Sequence, residues 1–322
     1  SEPRQGRQAA GAARVQDMTF VVLGLDALDT RLVEAFGCET LELQRFGTIE
    51  TFSHNFPYPY TLEIWPTVAT GLHPSNHGVG ATKGSNTEWN NPILEAASRV
   101  TAHFPTDVRN YLGNMTESVT DAENTIAETS EPTVFDGEHR FVHNWPGVTN
   151  GRALLDIWDI TKPSEGEDIS IESFECEVLS KSAQKFAWIE EMLAHDAALL
   201  GAHIHTLDVT GHAYSTETHR DRLREMYEWV EAWIDRLLDQ MEPEDELLIL
   251  GDHGMHVEWL DGAEKASSHS WYPMAATTVD EPLFENMFGA REWIESHVPD
   301  VFVDEKHLDL PTEQLKKLGY IR

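Results

Sequence analysis

The chain reads as an α/β protein: a mostly parallel central sheet with helices on both faces, in three layers. Three observations predict this. Met18–Leu25 (MTFVVLGL), Ala197–Leu207 (AALLGAHIHTL) and Glu246–Leu250 (ELLIL) are continuous apolar runs, the pattern of strands buried on both faces. Helical segments alternate with them, which favours parallel pairing through crossover helices. The length, 322 residues with 40% hydrophobic composition, suits one large domain with an insertion.

Residues 1–17 carry arginines but no apolar run; they read as a disordered leader ahead of Met18, not a secretory signal. The single domain then spans 18–322. Its first strand, Met18–Leu25, ends in Asp26 and leads to a helix near Arg31–Phe36. Gly47–Phe52 reads as an edge or neighbouring strand. Ser53–Tyr60, with two prolines and several aromatic residues, delivers the chain to Thr61. There a short helix begins, and Pro74–His77 reads as a turn. Pro66 suggests that this helix starts beyond Thr61. Residues 83–173 are rich in Asn, Gly, Pro, Thr and acids, with helical patches at Ile93–Val100 and Arg152–Trp158. Trp89, Phe104, Tyr111, Phe141 and Trp145 imply packing, and the span reads as an inserted cap or lid beside the site.

Phe174–His195 is helical. The second buried strand ends in Asp208–His212 (DVTGH). In the helix near Thr218–Met241, Leu223, Met226, Tyr227, Val230, Trp233, Ile234 and Leu237 recur at helical spacing and form a core face. The third buried strand ends in Gly251–Met255 (GDHGM). Ser267–Pro273 (SSHSWYP) and a β-like AATTV follow. Amphipathic helices at Phe284–His297 and Thr312–Leu318 close the domain.

Net charge is −33, from 56 acidic and 23 basic residues spread along the chain. Such a charge repels nucleic acid polymers and anionic membranes. Its self-repulsion nearly vanishes at molar salt, where the Debye length is about 3 Å, so the composition resembles that of proteins from a salty cytoplasm. No window approaches the ~18 apolar residues of a membrane span. The two cysteines, Cys38 and Cys176, form no C-x-x-C pair, which suits a reducing, cytoplasmic compartment.

The chemistry gathers where these strands end. Asp26, Asp208 and Asp252 each close a buried strand, and His212 and His253 stand close to two of them. In a parallel sheet all three acids meet at one edge, where open α/β folds bind ligands. Three buried carboxylates repel one another unless cations bind. Mixed Asp and His ligands suit zinc, with manganese second, and two such ions can grip a phosphoryl group. A hydroxyl at a helix start, such as that of Thr61, faces unpaired N–H groups that attract phosphate, and becomes a nucleophile when bound to metal. Each piece has a plainer reading: Thr61 and Asp26 as helix caps, His73 and His77 as turn residues, His205 as core, His256 as a group behind the site. G-D-H-G is the most specific piece, since no structural need for Asp-His between glycines is evident.

The ordered set resembles the alkaline phosphatase superfamily, and most closely its type I phosphodiesterase and nucleotide pyrophosphatase branch. The likeness runs over Met18–Pro273 apart from the insertion. It rests on the T-G-x-x-P-x-x-x-G signature at Thr70, Gly71, Pro74 and Gly78, with the nucleophilic Thr ten residues before that Gly, at Thr61. The resemblance implies two zinc ions, one held by Asp26, Thr61, Asp252 and His253 and the other by Asp208, His212 and His269. It implies a phospho-threonine intermediate and a small phosphorylated substrate such as a nucleotide or phosphodiester. Two departures stand out. Glu63 occupies a position where relatives often have Pro, and it is expected to point away from phosphate. An Asn donor of relatives falls near Thr82, where Thr82, Lys83 or Asn86 would substitute as substrate-binding groups. A phosphomonoesterase remains open. A sulfatase-like enzyme fits less well, because neither cysteine has the required context. A non-catalytic, metal-stabilised binding protein is the remaining alternative.

Overall fold

The computed structural model describes residues 18–80, 127–149 and 170–299. Its centre is a six-stranded sheet ordered β2-β8-β5-β1-β4-β3. The strands are β1 (Phe20–Leu25), β2 (Arg45–Thr48), β3 (Arg140–His143), β4 (Leu199–Ile204), β5 (Glu246–Leu250) and β8 (Met274–Thr277). β1 pairs in parallel with both β4 and β5, and β3 in parallel with β4. β8 alone runs against its neighbours. A two-stranded hairpin, β6 (Gly254–Met255) with β7 (His269–Ser270), stands apart.

The apolar runs alternate between two cores, as a period of two requires. On β1, Val21, Leu23 and Leu25 face one core while Phe20 and Val22 face the other. On β5, Leu247 and Ile249 oppose Leu248 and Leu250 in the same way. The first core is covered by the helices Ile171–Met192 and Arg220–Leu238. In the latter, Leu223, Met226, Tyr227, Val230, Ile234 and Leu237 are buried and Trp233 packs against them. The second core is covered by the helices Thr61–Thr70 and Ala290–His297. This is the three-layer arrangement read from the sequence.

The helix begins at Thr61, where the loop enters it, and not further along as Pro66 suggests. It runs Thr61–Thr70 with Pro66 inside it, and every residue is buried. Proline removes one helical hydrogen bond, but tertiary partners hold the surrounding backbone. Trp145 Nε1 donates to Trp65 O at 3.0 Å, and Arg291 donates to Thr70 O at 2.7 Å. Gly71 ends the helix at φ 68°, a conformation that favours glycine.

Within the span read as a cap, residues 127–149 supply β3 to the sheet, and Val134, Phe135 and Trp145 to the second core. The remainder of that span, the leader 1–17, the helical patches at 93–100 and 152–158, and the segment 312–318 lie outside the described residues. No helix among the described residues is long and apolar enough to cross a membrane.

Candidate metal and phosphoryl-transfer site

Parallel pairing of β5, β1 and β4 brings their C-terminal ends together. Asp26 follows the last residue of β1, and Asp252 stands two residues past β5. Asp208 is not a strand-end residue as read. β4 stops at Ile204, and Asp208 lies in the first turn of a helix, Thr206–Tyr214. That helix sets Asp208 and His212 one turn apart, with His212 Nε2 3.2 Å from Asp208 Oδ1.

The chain bends sharply after Asp26. Ala27 has φ 61°, uncommon for a residue with a Cβ, and its N–H donates to Asp252 Oδ1 at 3.3 Å. Asp26 and Asp252 are thereby tied across the β1–β5 boundary. The glycines flanking Asp252–His253 do meet a structural need. A side chain at Gly251 would collide with Leu28, and one at Gly254 with the carboxylate of Asp29.

Thr61 is fully buried at the first position of its helix. Its Oγ1 lies 3.5 Å from Asp26 Oδ1 and 3.2 Å from His253 Nε2. Tyr60, the residue before it, makes no side-chain cap. Glu63 and Ile64 N–H both close on Tyr60 O, so the N–H groups of Thr61 and Leu62 have no intrahelical acceptor.

His253 Nε2 sits among all three acids, 3.3 Å from Asp26, 3.5 Å from Asp252 and 3.9 Å from Asp208. Its ring stacks on that of His269 at 3.4 Å between centroids. His269 Nε2 is 3.3 Å from Asp208 Oδ1. Backbone carbonyls fix the far sides of the imidazoles: His212 Nδ1 meets Ser267 O at 2.9 Å, His253 Nδ1 meets Gly254 O at 3.0 Å, and His269 Nδ1 meets Pro59 O at 2.7 Å. Such contacts choose the tautomer that presents Nε2 to the centre.

The hairpin carrying His269 rests on Asp29. This buried carboxylate accepts from Met255 N–H at 3.0 Å and Ser270 Oγ at 2.8 Å. Arg31 donates to Asp29 at 2.8 Å and to Asp261 at 2.9 Å. His256, read as a group behind the site, lies 3.0 Å from Asp261. His73 and His77, read as turn residues, cap and end a one-turn helix, Pro74–His77, in which His77 is buried.

Two histidines at the centre were missed. His205 was read as core, but its Nδ1 is 2.6 Å from Asp26 Oδ2 and its Nε2 is 3.2 Å from Asp208 Oδ2. His203 Nε2 lies 3.1 Å from the same Asp26 oxygen. His203 lies on β4 and His205 is the N-cap residue of the helix that follows; the available signal was two histidines two residues apart in and just past an apolar run. Thr82, Lys83 and Asn86 lie outside the described residues.

The protein groups alone are strongly polarised. Burial pushes the Asp252 carboxyl up, and the neighbouring Asp26 carboxylate adds to this. For Asp26 itself, burial is outweighed by His205, His203 and His253, which hold it well below the usual carboxylate range. Burial would lower His253 and His205, yet the surrounding acids push them up to about 9 and about 10. Burial wins at His269 and His203, each held down to about 4.

The residues present suit divalent ions. Asp26, Asp252 and His253 offer ligand atoms all within 4.8 Å of one another, as do Asp208, His253 and His269, and Asp26, His203 and His205. Asp252 Oδ2 and Asp208 Oδ1 are buried and accept no hydrogen bond, a costly state that a coordinated cation relieves. Mixed carboxylate and imidazole donors are those zinc takes.

No protein of curated function matches the chain. Among solved structures it is similar to an alkaline phosphatase from the Antarctic bacterium TAB5, with TM-score 0.45, 10% identity, and coverage of 87% of this chain and 97% of that one. A mutant of that enzyme with Mg bound matches at TM-score 0.42, with the same identity and coverage. The family described as type I phosphodiesterase / nucleotide pyrophosphatase matches residues 20–261. The chain belongs to the type I phosphodiesterase / nucleotide pyrophosphatase family.

Proposed function

We propose that this phosphoesterase-family protein is a two-metal hydrolase of phosphodiesters or nucleotide pyrophosphates, acting through a phospho-threonine on Thr61. The observation that carries the reading is the buried Thr61 hydroxyl, 3.5 Å from Asp26 and 3.2 Å from His253 at the start of its helix. One ion would be held by Asp26, Thr61, Asp252 and His253, and the other by Asp208, His212 and His269. Zinc fits this donor set best, with manganese second. Bound ions would lower the pKa of a coordinated hydroxyl or water and offset phosphoryl charge.

The chain's own groups then act in two displacements. Thr61, its proton lost to solvent, attacks phosphorus; the Thr61 O–P bond forms as the bond to the leaving oxygen breaks, and that oxygen takes up a proton. In the second step a water oxygen attacks, the Thr61 O–P bond breaks, and Thr61 regains a proton. The N–H groups of Thr61 and Leu62, which lack intrahelical acceptors, would hold a phosphoryl oxygen. Thr82, Lys83 or Asn86 would complete substrate binding, and the parts of 83–173 outside the sheet and cores would shape access.

The net charge of −33 supports a small substrate rather than a nucleic acid polymer or a membrane, and a salty cytoplasm as the setting. The test is hydrolysis of bis-p-nitrophenyl phosphate against p-nitrophenyl phosphate, at molar salt with added zinc or manganese. Preference for the diester is expected. Preference for the monoester would replace the reading with a phosphomonoesterase, and turnover of neither would make the chain a binding protein.

A further inference from the structure

We propose that Glu63 is a positioning residue that sets both the nucleophile and one histidine of the metal centre; the inference rests on the two-metal reading above. Glu63 is fully buried two residues after Thr61. It is the third residue of the helix, where a Glu ordinarily reaches back to the N–H of the capping residue. Here it reaches further. Its Oε2 accepts from His54 N–H at 2.9 Å, and its Oε1 accepts from Asn55 N–H at 3.1 Å and Asn55 Nδ2 at 2.7 Å. Three donors converge on a buried carboxylate, and charge-assisted bonds of this kind are the strong ones.

The contacts pin the start of the loop 54–60 to the helix into which the same loop runs. That closed loop carries two functional groups. Pro59 O accepts from His269 Nδ1 at 2.7 Å and so aims His269 Nε2 at Asp208. Tyr60 precedes Thr61 and leaves the helix start without a side-chain cap. The loop is stiffened by its own rings, with Phe56 on Tyr60 at 4.4 Å and Tyr58 edge-on to His269 at 5.8 Å. A carboxylate beside a phosphate site would repel substrate if it faced inward. Turned into the loop and fully satisfied, it orders the site instead.

The test compares Glu63→Ala and Glu63→Gln with the wild type by zinc titration against a chromophoric chelator, together with kcat and KM. Glu63→Ala is expected to weaken binding of one zinc by about 10- to 100-fold, the usual range for groups that orient a ligand. It should lower kcat by a similar factor with little change in KM. Glu63→Gln, which keeps an acceptor oxygen, should lose less. In a His269→Ala background Glu63→Ala should weaken zinc binding no further. Lower thermal stability with unchanged zinc affinity in the folded variants would overturn the inference. So would equal losses with and without His269. A wild type that binds no zinc would overturn both this inference and the two-metal reading, whereas a wild type that binds zinc and a Glu63→Ala variant that matches it overturn this inference alone.

Discussion

The two halves of the centre are held in different ways. Asp26, Asp252 and His253 are anchored by neighbouring parallel strands, and the Ala27 N–H ties Asp252 directly across to the turn after Asp26. Asp208, His212 and His269 come from one short helix and a two-residue hairpin strand, held by carbonyls of Ser267 and Pro59 and by the Asp29 carboxylate. One half is as rigid as the sheet. The other is only as rigid as its hydrogen bonds to loops.

The largest effect expected is on chemistry alone. Thr61→Ala should lower kcat by roughly 10⁴-fold or more, as loss of a nucleophile does, while metal analysis finds the wild-type content. Near-normal turnover in this variant would remove Thr61 from the mechanism. Next, Asp252→Asn and His212→Ala separate the halves. Asp252→Asn should abolish activity and lose at least one ion. His212→Ala should weaken only the more loosely held ion, so a titration resolves one tight and one weak site. If both variants lost both ions together, the halves would be a single cooperative unit.

Asp29→Asn probes the hairpin. Its carboxylate accepts from Met255, Ser270 and Arg31, so weakening it should reduce zinc affinity in the His269 half by about 10-fold and leave the other ion unchanged. Equal loss at both sites would show that Asp29 supports the whole edge.

The smallest effect is on stability against pH. Burial holds His77 down to about 4, below an ordinary 6.5. Its Nδ1 accepts from Val79 N–H, so Nε2 carries the proton toward Thr67 Oγ1. Between these values the unfolded chain binds a proton that the folded chain refuses, so stability falls as pH drops from 6.5 to 4. His77→Asn should flatten part of that slope in urea unfolding followed at pH 7 and pH 5. An unchanged slope would assign the acid sensitivity to other groups.

Much of this was legible in the residues themselves. Asp26 and Asp252 announced themselves as acids closing apolar runs, and the 3.6-residue stripe through Leu223, Val230 and Leu237 marked a core helix. Thr61 was singled out by the resemblance to the phosphodiesterase family, through its distance from the T-G-x-x-P signature, and not by its own residues. His205 was hidden because a histidine in an apolar run looks like core until its ring nitrogens are seen against two carboxylates. Glu63 was expected to turn away from phosphate, but its partners, His54 and Asn55, lie in a loop whose course only tertiary packing fixes. Pro66 argued for a later helix start, since local propensity cannot register that Trp145 and Arg291 hold the helix from outside.

The position of β1 has a bearing on how the chain is made. It leaves the ribosome well before both of its sheet neighbours, which begin only at Leu199 and Glu246. Until those are synthesised, a wholly apolar strand waits with open edges, the condition under which nascent chains stick to one another. A dense coat of negative charge on the growing polypeptide would keep such half-made molecules apart.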